Sequence, residues 1–301
     1  MRVISLGSGS SGNALLIEAG PRGRTKLLID AGFNGRVLTQ RLRQAGVAPA
    51  QLTGILVTHE HIDHVLGLPY MMKYYKLPVI TNPLTVSAIQ RIFAGETARS
   101  DSGALVSLTL ETGALNNSQT TELFHALSSG ASTVLGDVEV ISFPVSHDAA
   151  APCGFLLSAG GCRVCVVIDT GEVTPAMLTM MQHADLLILE SNHDRERLLR
   201  GPYPYPLKQR ILSATGHLSN DQAAEAFLRT WRGDAVRWVW LSHLSRTNNT
   251  PRLALNTMRA RMSEAGANLA QAHITALPPE VGGVWDSTQL WHNTSLWEMQ
   301  G

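Results

Sequence analysis

Three histidines and an aspartate crowd into the run Thr58-His59-Glu60-His61-Ile62-Asp63-His64. Imidazole and carboxylate together suit zinc, manganese or iron. Alternate side chains of an extended segment share a face, so His59 and His61 can reach one ion together. Asp63 and His64 then turn the other way, toward a second ion. Two ions that activate one water make a dinuclear hydrolase, which needs about six protein ligands. A solvated polar loop is the alternative, but a random chain rarely places four such donors so close together.

A loop of this kind has to be held by regular structure. Residues 3–6, the turn Gly7-Ser8-Gly9-Ser10-Ser11-Gly12-Asn13 and residues 14–18 read as a β-hairpin. A third strand, 26–29, ends at Asp30. The spacing of Val37, Leu38, Arg41 and Leu42 predicts a helix over 36–45, stopped by Gly46. Ile55-Leu56-Val57 is a short apolar strand that delivers the histidine run onto a loop at its carboxyl end. A helix from about Val65 and a strand starting at Val79-Ile80 follow. The stretch from about 95 to 136, rich in Ser, Thr, Gly and Asn, reads as an irregular insertion and a flap near the site. Short strands return at 138–143, 155–157, 164–168 and 186–189. A helix over 221–231, a strand over 236–241 and a helix over 251–265 complete the body. Residues 277–301 form a tail bearing Trp285, Trp291 and Trp297, expected to pack on that body. No internal repeat is visible, so the reading is one α/β domain over 1–276.

Composition narrows the partners. Lys plus Arg and Asp plus Glu number 24 each, so any nucleic acid must be held by a local patch rather than a basic coat. The amino terminus lacks the apolar core of a signal peptide, and no apolar run approaches the ~20 residues of a membrane span. Three cysteines cannot build a disulfide framework, which points to the cytoplasm. Cys162 and Cys165 lie three apart in an apolar strand, face opposite sides and cannot chelate one ion together.

The segment from His59 to His64 resembles the signature of the metallo-β-lactamase superfamily. That resemblance implies a four-layer αβ/βα sandwich and supplies the other ligands in order, each at a strand end: His147, Asp169 and His243. It assigns His59, His61 and His147 to one ion, Asp63, His64 and His243 to the other, and Asp169 as the bridge. The cofactors implied are two divalent ions, zinc or manganese, with iron as a third option, and the reaction is attack by a hydroxide that they share. Asp63 counts among the catalytic groups as well as the ligands. The resemblance runs closer still, to the YycJ/WalJ (VicX) subfamily. It is carried by Gly7–Ala14, Val145–Ala150, Glu190-Ser191-Asn192-His193-Asp194, the stretch from Tyr203 to Asn220, and His243-Leu244-Ser245 with Asn248-Asn249. That subfamily implies a 5′-to-3′ DNA exonuclease, so DNA is the expected substrate; RNA and small cyclic or oligonucleotide phosphates are the alternatives. Whether the protein forms homo-oligomers stays open. A non-catalytic regulatory metal protein is the reading from a different class.

His217 is similar to the His-Ser-Thr element of the tRNase Z branch, which implies a proton donor. Glu190 would orient that imidazole, and His193 competes for either part. Between Asp194 and Arg210 five bases, Arg195, Arg197, Arg200, Lys208 and Arg210, face only two acids. Beside the loop carrying Asn192, this strip either grips backbone phosphates or is a solvated helix face. The turn holding Ser10 and Asn13 either offers backbone N–H groups to a phosphate or is a plain hairpin turn; it lacks the ending of a P-loop.

Overall fold

The run Leu186-Leu187-Ile188-Leu189 is apolar at every position, so a strand built from it must be covered on both faces. The computed structural model describes residues 1–100, 105–107, 121–233 and 235–292, and it covers such strands by stacking two sheets between outer helices. The front strands are β1 Arg2–Gly7, β2 Ala14–Ala19, β3 Thr25–Ile29, β4 Gly54–Leu56, β5 Val79–Thr81, β6 Thr97–Arg99, β7 Leu105–Ser107 and β8 Phe124–Ala126. Later in the chain come β9 Ser132–Leu135, β10 Val138–Pro144, β11 Cys153–Ala159, β12 Cys162–Val167, β13 Leu186–Glu190, β14 Arg237–Ser242, β15 Ala272–Ala276 and β16 Val284–Asp286, the last of which returns to the first sheet. One sheet runs β16-β1-β2-β3-β4-β5-β8, and the other β15-β14-β13-β12-β11-β10-β9. In each, the run of parallel strands begins midway, at β3 and at β12.

Alternation within a strand decides which layer each side chain enters. Leu186, Ile188, Trp238 and Trp240 point into the core between the sheets, with Ile17, Leu27, Phe155 and Val166. Leu187, Leu189, Val239 and Leu241 point outward, under the helices Pro175–Met181, Asn220–Arg229 and Pro251–Glu264. The other sheet repeats this, with Leu28, Ile55 and Val79 under the helices Gly35–Gln44, Leu68–Tyr75 and Pro83–Phe93. These are the four layers of an αβ/βα sandwich. Cys162 enters the inter-sheet core and Cys165 the helix side, so the C-x-x-C is a pair of core residues on opposite faces.

Helix starts follow local chemistry. Asn82, Thr174 and Thr250 each accept a backbone N–H in the first turn, and each precedes a proline at the first helical position. Ser219 and Gln222 form a capping box. Among the described residues no helix is long and apolar enough to cross a membrane.

Two stretches differ from the sequence reading. Residues 95–136 are not wholly irregular: β8 pairs with β5 and β9 with β10, so this stretch supplies an edge strand to each sheet. Its remainder, beyond the β6–β7 hairpin, lies largely outside the described residues. Short strands at sheet edges carry a weak periodic signal, which is why they read as loop. The tail is also partly structural. β16 pairs with β1, and Trp285 is fully buried against Trp238 in the inter-sheet core. Trp297 and the side chain of Trp291 lie outside the described residues. Trp285→Ala is expected to cost roughly 3–5 kcal/mol in a urea melt, the usual range for emptying a buried aromatic site; a cost below about 1 kcal/mol would mean that β16 is dispensable.

Candidate metal centre

Strands end where the backbone turns, and three of those ends are unusual. Asp30 after β3, Asp169 after β12 and His243 after β14 have φ of 60°, 59° and 54°. Left-handed backbone costs such residues about 1–3 kcal/mol each and persists only where its surroundings demand it. Here it turns three side chains, all 0–1% exposed, into one pocket at the carboxyl ends of the parallel strands. After β4 the loop adds His59 and His61 and the short helix Ile62–Val65 adds Asp63 and His64, and the loop after β10 adds His147.

All seven expected ligand residues are buried. Donor atoms of His59, His61 and His147 lie within 4.8 Å of one another, as do those of Asp63, His64, Asp169 and His243. Asp169 touches both groups: its Oδ2 is 2.8 Å from His64 Nε2 and 3.4 Å from His59 Nε2, and its Oδ1 is 2.6 Å from His243 Nδ1.

The outer hydrogen bonds decide which ring atoms face inward. His64 Nδ1 donates to Asp30 Oδ2 at 2.7 Å, which leaves Nε2 toward Asp63 and Asp169. His147 Nδ1 donates to the Gly216 carbonyl at 3.0 Å, so its Nε2 is a bare lone pair facing His61 Nδ1 at 3.2 Å. His59 Nδ1 meets the Thr58 hydroxyl at 3.0 Å. Nε2 of His59 and of His243 are buried with no hydrogen bond. Each faces a carboxylate oxygen at 3.4 Å, of Asp169 and of Asp63, and a divalent cation is what this donor set fits.

Electrostatics agree with that division. Burial, helped by neighbouring imidazoles, pushes His59 well below its ordinary value, and burial takes His61 down to about 4. Both rings are therefore neutral donors at pH 7. Burial acts the same way on His64 and His243, but the carboxylates outweigh it: Asp30, Asp63 and Asp169 for His64, chiefly Asp169 for His243. Those two imidazoles sit where the pocket attracts positive charge.

The groups expected around the metals fall into place unevenly. Glu190 Oε1 accepts from His217 Nδ1 at 2.7 Å and lies 3.3 Å from His243 Nδ1. Its Oε2 accepts from the N–H groups of Thr170 and Leu218 at 2.8 and 3.2 Å. His193 is fully buried, neither ring nitrogen has a hydrogen bond, and burial takes it down to about 4. Asn13 is also buried; its Nδ2 lies 3.4 Å from Asp63 Oδ2 and 3.2 Å from His64 Nε2, so it braces two ligands. Ser10 is exposed at the tip of that loop. Asn192 Nδ2 donates to the His243 carbonyl at 3.1 Å and holds the strand end in place.

The basic strip is divided between the helices Arg195–Arg200 and Tyr205–Leu212. Arg195 is exposed, Arg197 donates to the Thr247 carbonyl and Lys208 to the Leu199 carbonyl. Arg210 is the one of these drawn to the metal pocket: its guanidinium is bidentate on Asp148 at 2.8 and 2.9 Å.

Two positioning carboxylates escaped the sequence reading. Asp30 holds His64 and also accepts from the Thr58 N–H at 2.8 Å. Its signal was a carboxylate at the end of a buried strand, with a glycine two residues on. That glycine is needed: a Cβ on Gly32 would lie 1.7 Å from the Asp63 carbonyl oxygen. Asp148 follows a ligand and is held beside it by the bidentate Arg210 guanidinium. Asp30→Asn is expected to weaken metal binding by roughly 10–100-fold in a chelator competition, because the Asp30 carboxylate orients the His64 ring. Affinity within about twofold of the parent would remove Asp30 from the metal's support.

Comparison with known proteins gives this geometry a family. A family model described as a β-lactamase superfamily domain matches residues 25–238. The exodeoxyribonuclease WalJ of Streptococcus pneumoniae is 35% identical over 260 residues, covering 86% of this chain and 87% of that protein. The exodeoxyribonuclease YycJ of Bacillus anthracis is 34% identical over 267 residues, covering 89% and 91%. Among solved structures, the metallo-β-lactamase fold protein YhfI of Bacillus subtilis superposes with a TM-score of 0.64 over 95% of this chain and 99% of that one, at 17% identity. That likeness speaks to the fold alone. By the sequence matches, the chain belongs to the metallo-β-lactamase superfamily, in the family of the WalJ and YycJ proteins.

Proposed function

We propose that the protein is a metal-dependent phosphodiesterase that degrades DNA from 5′ ends. His59, His61 and His147 would hold one divalent ion and Asp63, His64 and His243 a second, with Asp169 shared between them. Zinc and manganese suit these donors, iron less commonly. Such ions supply an activated water and stabilise charge developing on phosphate oxygens.

The observation that carries the reading is the buried Glu190–His217 pair, at 2.7 Å beside the metal donors. Breaking a phosphodiester releases an alkoxide, which needs a proton. Glu190 takes the Nδ1 proton of His217 as a hydrogen bond, so Nε2 is the ring nitrogen left to hold and deliver a proton. Burial works against charge on Glu190, but His217 and His243 outweigh it and keep the carboxyl below its ordinary value. His193, unpartnered at both nitrogens, is less suited to the donor's part. The nucleic acid in this reading comes from the WalJ and YycJ matches, whose names state deoxyribonuclease activity.

The test is a metal-swapped panel on 5′- and 3′-labelled DNA, RNA and a simple phosphodiester. Loss from 5′-labelled DNA with manganese or zinc is expected, and a His59→Ala protein should be inert. His217→Ala should lower kcat by roughly 10²–10⁴ with metal content unchanged, the span of a lost general acid. Intact DNA with every metal, or a His217→Ala protein within about tenfold of the parent, would sink the reading.

A further inference from the structure

Asp148 accepts from two arginines at the rim of the metal pocket. Arg210 takes both of its oxygens, at 2.8 and 2.9 Å, and Arg99 adds a third contact to Oδ2 at 3.0 Å. A bidentate guanidinium already matches one carboxylate in charge and in geometry. The Arg99 charge is therefore surplus. Its removal would leave Asp148 paired with Arg210, so the Asp148–Arg99 contact can be exchanged for another anion without stranding a buried charge.

The position of Arg99 says which anion. It lies on β6, in a hairpin whose only strand partner among the described residues is β7. Its side chain is 47% exposed. It lines a cleft of about 260 Å³ with Glu60, His61, Arg91, Thr97 and Asp148. His61 is also one of the expected metal ligands, so the cleft borders the candidate metal pocket. Arg91 stands across the same cleft, 3.5 Å from Glu96 in an exposed pair of the kind that contributes little. The volume lies below the roughly 300–1,000 Å³ of pockets that enclose whole drug-sized ligands, which leaves room for a backbone unit rather than a base pair.

We propose that this cleft is a phosphate subsite for the nucleotide next to the scissile bond, with Arg99 as the group that leaves Asp148 to grip it. The inference rests on the nuclease reading and deepens it: a substrate with one phosphate occupies the metals alone, whereas a polymer also occupies Arg99. The β6–β7 hairpin then acts as a binding arm that favours chains over single diesters.

The experiment compares wild type, Arg99→Ala and Arg99→Lys on a 5′-labelled oligodeoxynucleotide over a salt series, and on bis(p-nitrophenyl) phosphate. Arg99→Ala should raise KM for the oligonucleotide roughly tenfold and flatten the salt slope of log(kcat/KM) by about 0.7–0.9, one phosphate contact. Arg99→Lys should keep most of the slope, and the loss on the small diester should be several times smaller than on the oligonucleotide. Equal KM and equal slope for Arg99→Ala and wild type, with wild-type DNA turnover intact, would overturn this inference alone. Wild type that leaves DNA and RNA uncut overturns the nuclease reading and the inference with it.

Discussion

Asp169 is a carboxylate with 1% exposure, and an ionised carboxylate is costly to bury unless cations or strong donors surround it. Imidazoles of His59, His64, His217 and His243 all approach it within 3.6 Å. Burial works against its charge, and His243 and His64 outweigh that, holding the carboxyl well below its ordinary value. Those histidines belong to three different loops, two of them on the opposite sheet from His59 and His64. The carboxyl ends of both sheets therefore have to meet at this point. The left-handed turns at Asp30, Asp169 and His243 are the local consequence.

The support for this arrangement is polar and shared. Ser8 in the first turn accepts the His243 N–H at 2.8 Å, while Asn13 of the same turn reaches Asp63 and His64. Ser191, Asn220 and Asn249 form a buried hydrogen-bonded cluster beneath the Glu190 and His217 loops. Because each member serves more than one partner, losing one disturbs several ligands at once, and single deletions will not add. The glycine-rich turn is thus a brace for the metal loops, with Ser10 left at its exposed tip.

The centre was largely legible in the sequence because its chemistry is concentrated: three histidines and an aspartate in one loop, then single donors at strand ends. The buried strands were legible too, from apolar runs such as Val164-Cys165-Val166-Val167. The helices Pro83–Phe93 and Pro175–Met181 went unread although Asn82-Pro83 and Thr174-Pro175 are sound start signals and Ala88, Ile89 and Ile92 keep helical spacing in the first; the second spans only seven residues. The edge strands β8 and β9 depend on neighbours far along the chain, which no local pattern reports. Asp30 and Asp148 were missed for a related reason. Each acts only through a residue folded against it, His64 for one and the two arginines for the other. The basic strip shows what charge counted along a helix leaves out: Arg197 and Lys208 each have a carbonyl partner that only the fold brings to them.

Seven buried donors converge on one pocket, and two divalent ions are what they are expected to hold. Metal analysis of protein purified and re-equilibrated with manganese or zinc addresses this most directly. Two ions per chain are predicted, falling when Asp169 is replaced by alanine. A stoichiometry at or below one ion per chain, unchanged by that replacement, would contradict it.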